Sequence, residues 1–225
     1  MTGFIGILSL DSRFPRIRGD AGNPDSYDLP ARVRVIEGAD SPKIVQDGRP
    51  APELAARFIA AARELEAEGA IFITSTCGFL VSMQHEIARA VRVPVMLSAL
   101  SLLPLLRLAD RKAVFGILTA SAASLGPGAL KAAGVKPEDV RIRGLDHVPI
   151  FGGTFLAAKE AQPDRFDRAA MEAAVIEAAR GLIEAHPEVT LILLECGNLP
   201  PYAAAIAQAT GRPVQSILDG VRLFT

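Results

Sequence analysis

Cysteine is scarce in this chain of 225 residues, with two in all, and histidine hardly commoner, with three. Two sulfurs and three scattered imidazoles without paired ligand spacing argue against a metal site. An excess of charge is also missing: the formal net charge is −1, with acidic and basic residues interspersed. That leaves no electrostatic footprint for a nucleic acid or an anionic membrane. Long apolar runs are absent too, because Pro94, Pro104 and Arg107 break the longest ones well short of a bilayer span. The amino-terminal residues Met1 to Leu8 carry no basic region ahead of their apolar stretch, so a secretory leader is not expected and a soluble, cytoplasmic protein is. In that reducing compartment two lone cysteines stay as thiols unless they are catalytic or redox partners. No glycine-rich phosphate fingerprint occurs, and none of the five lysines stands at a strand end suited to pyridoxal phosphate. No cofactor is expected.

What is present is a chain half hydrophobic, mostly alanine and aliphatic residues. Short apolar runs of strand length alternate with helical patterns, the signature of βαβ units and parallel sheets. The first strand covers roughly Phe4 to Leu10. A helix is expected from Pro52, a favourable first-turn residue, to a stop at Gly69. Strands are expected at Ala70 to Thr76, Pro94 to Ser98, Ala113 to Leu118, Val140 to Leu145, Val189 to Glu195 and Pro213 to Leu218. Asp164 reads as the cap of an alanine-rich helix running towards His186. The segment Arg13 to Asp25 breaks the rhythm, with three arginines amid glycine and proline. It leaves the end of the first strand, where α/β proteins place their ligands, so it is either a mobile substrate lid or a solvated loop.

The two cysteines stand at equivalent points of a diverged internal duplication. Cys77-Gly78 and Cys196-Gly197 each close an apolar strand, and they lie 119 positions apart, as do Pro94-Val95 and Pro213-Val214. Gly6-Ile7-Leu8 is echoed by Gly116-Ile117-Leu118 at an offset of 110. The fold class that follows is α/β, with two pseudo-symmetric lobes, each a parallel sheet flanked by helices, and the active site between them. Residues 1–105 form the first lobe, with 213–225 placed to return to it, and 106–212 form the second. At strand carboxyl ends beside helix amino termini, a thiol pKa of roughly 8.5 is expected to fall. Two sulfurs facing each other across one ligand can take a proton from one side of a carbon and return it on the other.

The motifs Gly6-Ile7-Leu8, Ser75-Thr76-Cys77-Gly78, Gly116-Ile117-Leu118-Thr119 and Glu195-Cys196-Gly197-Asn198-Leu199-Pro200-Pro201-Tyr202 give the chain a resemblance to the aspartate/glutamate/hydantoin racemase superfamily. That superfamily also contains maleate cis-trans isomerases and arylmalonate decarboxylases. The resemblance implies two similar lobes, no cofactor, and Cys77 and Cys196 as the two acid/base groups. Amino-acid racemases commonly have Asn-Thr after the first cysteine and Gly-Cys-Thr around the second; here Gly78-Phe79 and Glu195-Cys196-Gly197 stand instead. Asp11 and Ser12 resemble an Asp-Ser pair that glutamate racemases place beside the first cysteine. Ser75, Thr76, Gly78, Gly197 and Asn198 flank the thiols as candidate substrate-binding residues. Thr119 and Ser121 follow the first strand of the second half and either bind a carboxylate through backbone amides or cap the next helix.

The function expected on these grounds is a cofactor-independent racemase or epimerase of a small amino-acid-like carboxylate or hydantoin. Its substrate is anionic or a cyclic amide, with neither nucleic acid nor membrane as partner, and a homo-oligomer is allowed. The alternatives are a maleate-isomerase-like enzyme with one nucleophilic cysteine, and a two-lobed binding protein without catalysis.

Overall fold

A computed structural model describes residues 3–225. It contains two four-stranded parallel sheets. In the first, β1 (Phe4–Leu10), β2 (Ala31–Ile36), β3 (Ala70–Ser75) and β4 (Val95–Met96) lie in the order β2-β1-β3-β4. In the second, β5 (Phe115–Thr119), β6 (Val140–Gly144), β7 (Leu191–Leu194) and β8 (Val214–Gln215) lie in the matching order β6-β5-β7-β8. The central strands β1 and β5 are buried along their whole length, which is why they read as unbroken apolar runs and not as alternating ones. The helix Pro52–Ala67 covers the first sheet and Arg168–Ala185 the second. The repeated glycines explain how closely they approach. A side chain at Gly6 would stand 3.0 Å from Leu65, and one at Gly116 would stand 2.8 Å from Leu182.

Several expected elements shift. The strand after Pro213 is two residues long and pairs with β7 through Ile192–Val214 and Leu193–Gln215, so it stays in its own sheet. What crosses back is the helix Ile217–Arg222, where Gly220 lets the backbone meet Met96; beyond it Phe224 packs on Phe72 with ring centroids 5.4 Å apart. The reciprocal helix Leu103–Ala109 reaches from the first half to the second, its Arg107 over the Phe115 ring and paired with Asp139. Each half therefore lends its last helix to the other. Asp167, not Asp164, caps the alanine-rich helix, accepting from the Ala169 and Ala170 amides. The edge strand β2, Ala-Arg-Val-Arg-Val-Ile, is absent from the sequence reading because its arginines interrupt the apolar pattern.

The lobes meet at the carboxyl ends of their sheets, and the contact is reciprocal. A Cβ at Gly78 would lie 2.3 Å from the Glu195 carbonyl oxygen, and one at Gly197 would lie 2.4 Å from the Thr76 carbonyl oxygen. Thr76 and Glu195 are themselves repeat equivalents. Backbone cannot retreat as a flexible side chain can, so Gly197→Ala should cost about 1–3 kcal/mol through overpacking. Gly153→Ala, at a position with nothing within 4 Å, should stay within about 1 kcal/mol of wild type. Urea denaturation of both variants checks this; equal midpoints would mean the lobes do not press on each other at Gly197.

Candidate active site

Each thiol follows a central-sheet strand into a tight turn, Cys77 from β3 into the 3-10 turn Gly78–Met83 and Cys196 from β7 towards Pro200–Tyr202. Both cysteines are free, each 7% exposed, and both line one cavity between the lobes. Its walls include Ser12, Phe14, Arg16, Thr76, Gly78, Phe79, Ala120, Phe155, Glu195 and Asn198. The cavity holds only about 20 Å³ of room for the centre of a water-sized sphere, space for about one water. A substrate enters only if these walls separate.

Of the residues expected to bind substrate, Ser12, Thr76, Gly78 and Asn198 line the cavity beside the thiols. The Ser12 hydroxyl accepts from Arg16, and Thr76 Oγ1 accepts the Leu10 amide at 3.0 Å. Asn198 accepts the Cys196 thiol proton at 3.4 Å and donates to Asp20 at 2.8 Å. Asp20 in turn holds Arg16 at 2.8 Å and the Gly22 amide.

The other candidates lie off the cavity wall. Asp11 pairs with Lys159 at 2.6 Å and accepts the Gly38 amide. The Ser75 hydroxyl donates to the Leu97 carbonyl at 2.6 Å and bonds the Cys77 backbone, so it shapes the turn. Ser121 accepts the Ser124 amide and caps its own turn. Gly197 is the interlobe contact, and Thr119 stands behind Glu195, donating to its Oε2 at 2.8 Å. The segment Arg13 to Asp25 is partly buried, with Arg13, Arg18 and Asp25 exposed. Phe14, Asp20 and Ala21 are buried, and the Arg13 amide donates to Gln162 while the Ala21 amide donates to the Gly197 carbonyl. Its Phe14 and Arg16 line the cavity, so the segment walls the site and is more than a solvated loop. His147, after β6, is exposed and away from the cavity.

The thiol acidity also departs from expectation. Backbone amides of Phe79 and Leu80 do favour the Cys77 thiolate, as a helix start should, but they are outweighed. Burial, followed by the nearby Glu195 carboxyl, pushes Cys77 up to about 12 and raises Cys196 well above the ordinary thiol value. The group that sequence reading did not select is Glu195. It is 1% exposed, and its Oε1 has no hydrogen-bond partner among the described residues. Burial raises its pKa to about 7 although Thr119 and the Ala120 amide donate to it. Only its departure from the racemase pattern beside the second cysteine marked it. Among the described residues no group of three or more His, Cys, Asp or Glu side chains is placed to hold a metal ion, and no helix is long and apolar enough to cross a membrane.

No family model matches the chain. A dimethylsulfoniopropionate lyase from Durusdinium sp. clade D is 32% identical over 98% of the chain and 73% of its own length. The chain belongs to the dimethylsulfoniopropionate lyase family. Dimethylsulfoniopropionate lyase 7 of Emiliania huxleyi is 33% identical over 98% of the chain, which spans 65% of that relative and about half (56% and 44%) of two others. Among solved structures, allantoin racemase from Klebsiella pneumoniae aligns with a TM-score of 0.66 at 16% identity, covering 99% of this chain and 86% of that one. An unliganded arylmalonate decarboxylase aligns at 0.59 and 18% identity over 99% and 93% of the two chains. Glutamate racemase from Francisella tularensis aligns at 0.54 and 15% over 99% and 79%. The fold is that of the aspartate/glutamate/hydantoin racemase superfamily, with the two-lobed α/β architecture expected. The reading of the protein as a racemase or other isomerase is overturned: the sequence relatives carry the name of a lyase, and the likeness to racemases is one of fold.

The raised Glu195 carboxyl has a measurable consequence for stability. The folded state keeps a proton between pH 4.5 and about 7 that the unfolded chain releases. Its contribution therefore favours folding at low pH and is lost as pH rises through 7, by about 3 kcal/mol. Urea midpoints at pH 5 and pH 8 should differ more for wild type than for Glu195→Gln, which removes the titration. Parallel pH profiles would show that Glu195 ionises normally.

Proposed function

We propose that the protein is a lyase that breaks the carbon–sulfur bond of dimethylsulfoniopropionate or a close sulfonium carboxylate. The observation that carries this reading is the kinship over 98% of the chain with proteins named for that activity. The cavity chemistry supports it. The reaction is a β-elimination: a base takes a proton from the carbon next to the carboxylate, and that C–H pair becomes the carbon–carbon double bond. The bond from the β-carbon to sulfur breaks with its electrons going to sulfur, giving neutral dimethyl sulfide and acrylate. The proton stays on the base until solvent removes it.

Cys77 is the base in this proposal, and Cys196 beside it keeps its proton throughout. The Cys196 proton is committed to Asn198, whereas the Cys77 thiolate is favoured by two backbone amides, those of Phe79 and Leu80, against one at Cys196, that of Asn198. Arg16 on the cavity wall presents a positive charge to the substrate carboxylate, held in place by Asp20 and Ser12. Phe14 and Phe155 meet edge to face with centroids 4.8 Å apart, and with Phe79 they offer ring surface to an onium group. A closed, mostly apolar cavity excludes water from the carbanion-like state, where fixed dipoles act with most force.

Cys77→Ser should lower kcat for dimethyl sulfide release by about a hundredfold or more, since a hydroxyl is a far weaker base near neutral pH, and Cys196→Ser should lower it by less. Headspace gas chromatography of dimethyl sulfide with NMR of acrylate is the measurement. Failure of the wild-type protein to release dimethyl sulfide from any sulfonium carboxylate would sink the lyase reading, and unchanged rates in both variants would remove the thiols from it.

A further inference from the structure

We infer that the free oxygen of Glu195 is the anionic half of a cation subsite, so that this residue selects ligands carrying a positive charge beside an alkyl carboxylate. The inference rests on the proposed lyase reading for the ligand's overall class, and deepens it by naming the group that recognises the charge. Glu195 stands on the cavity wall in the turn before Cys196, against Gly78 of the opposite lobe. Its Oε2 takes the Thr119 hydroxyl at 2.8 Å, and the Ala120 amide also favours the ionised carboxyl. Its Oε1 is buried without a hydrogen bond among the described residues. A buried carboxylate oxygen in that state costs several kcal/mol unless a proton or a cation meets it.

Among the described residues no such cation meets it. Arg16, on the same cavity, is held by Asp20 and Ser12 through its two terminal guanidinium nitrogens and, on the lyase reading, meets the ligand's carboxylate. The remaining groups facing Glu195 are the Cys77 and Cys196 thiols, which are themselves acids, and Asp20 lies beyond Asn198, already paired with Arg16. The cavity therefore gathers three acidic groups and lacks one positive charge. A neutral or anionic ligand tail leaves that imbalance in place. An onium group against Oε1, with its methyls on the Phe14, Phe79 and Phe155 rings, removes it. It also relieves the repulsion that opposes thiolate formation, so the base becomes competent when the right ligand is bound.

The test separates charge from shape. Calorimetry on the intact chain compares the trimethylammonium analogue of dimethylsulfoniopropionate, whose nitrogen is a poor leaving group, with its neutral tert-butyl isostere. Above pH 7 the ammonium ligand should bind about tenfold or more tightly than the isostere. The preference should shrink below pH 6 as Glu195 takes up its proton. Glu195→Gln should abolish it at both pH values while still binding the isostere. If that variant does not fold, the wild-type pH profile decides, and Thr119→Val, which removes a donor to the carboxylate, should move its midpoint upward. A wild-type protein indifferent to the charge, or a Glu195→Gln variant that keeps the preference, overturns the inference. Charge preference without release of dimethyl sulfide would overturn the lyase reading and leave the subsite standing. Turnover with selectivity unchanged in Glu195→Gln would do the reverse.

Discussion

The whole site depends on two backbone contacts in which the turn after one central strand presses on the turn after its repeat. Gly78 lies against the Glu195 carbonyl and Gly197 against the Thr76 carbonyl, each at a distance where no Cβ fits. Because Thr76 and Glu195 occupy equivalent positions, this is one contact made twice across a pseudo-twofold axis. The strand ends are held by the same repeated bonds: the Thr76 amide donates to the Leu8 carbonyl and the Glu195 amide to the Leu118 carbonyl. Separate the lobes by the width of a methyl group and the two thiols no longer share a dry cavity. The exchanged terminal helices and the partly buried Arg13 to Asp25 segment close the perimeter around those two glycines.

Burial of this degree sets the chemistry. Helix and turn amides at a strand end are commonly taken to make a cysteine acidic, and here they do favour the Cys77 thiolate. Desolvation is the larger effect, and a carboxyl placed beside both sulfurs adds to it. A site built this way keeps its two thiols protonated at neutral pH when empty. Its reactivity has to come from what binds, through the charge a ligand brings and the water it displaces.

The duplication, the parallel sheets and the strand-end position of the cysteines were legible because each rests on local pattern: buried central strands are continuous apolar runs, and a motif repeated at fixed spacing marks equivalent positions. The edge strand β2 was not legible, since its Arg32 and Arg34 face solvent and break the run. Nor were the exchange of helices and the partial burial of the Arg13 to Asp25 segment, which rest on long-range partners such as Gln162 and Gly197. Asp11 beside Ser12 looked like a substrate-binding pair. The alternation of an extended segment sends one towards the cavity and the other towards Lys159.

Two thiols at the ends of paired strands were read as racemisation, and the reason for the error is chemical. Racemisation and β-elimination begin with the same act, removal of the proton next to a carboxylate, and need the same base in the same dry place. They part at the next step, according to whether the neighbouring carbon carries a group that can leave with its electron pair. That group belongs to the substrate, so cysteine spacing is blind to it. What the protein can encode is the means of holding such a group, and a sulfonium needs a negative charge and aromatic surface. In this chain the departure from the racemase pattern falls on Glu195, directly before the second cysteine, a residue of the cavity wall whose buried Oε1 has no hydrogen-bond partner among the described residues. On the proposed lyase reading, the residue that departs from the resemblance is the one that meets the charge of the leaving group.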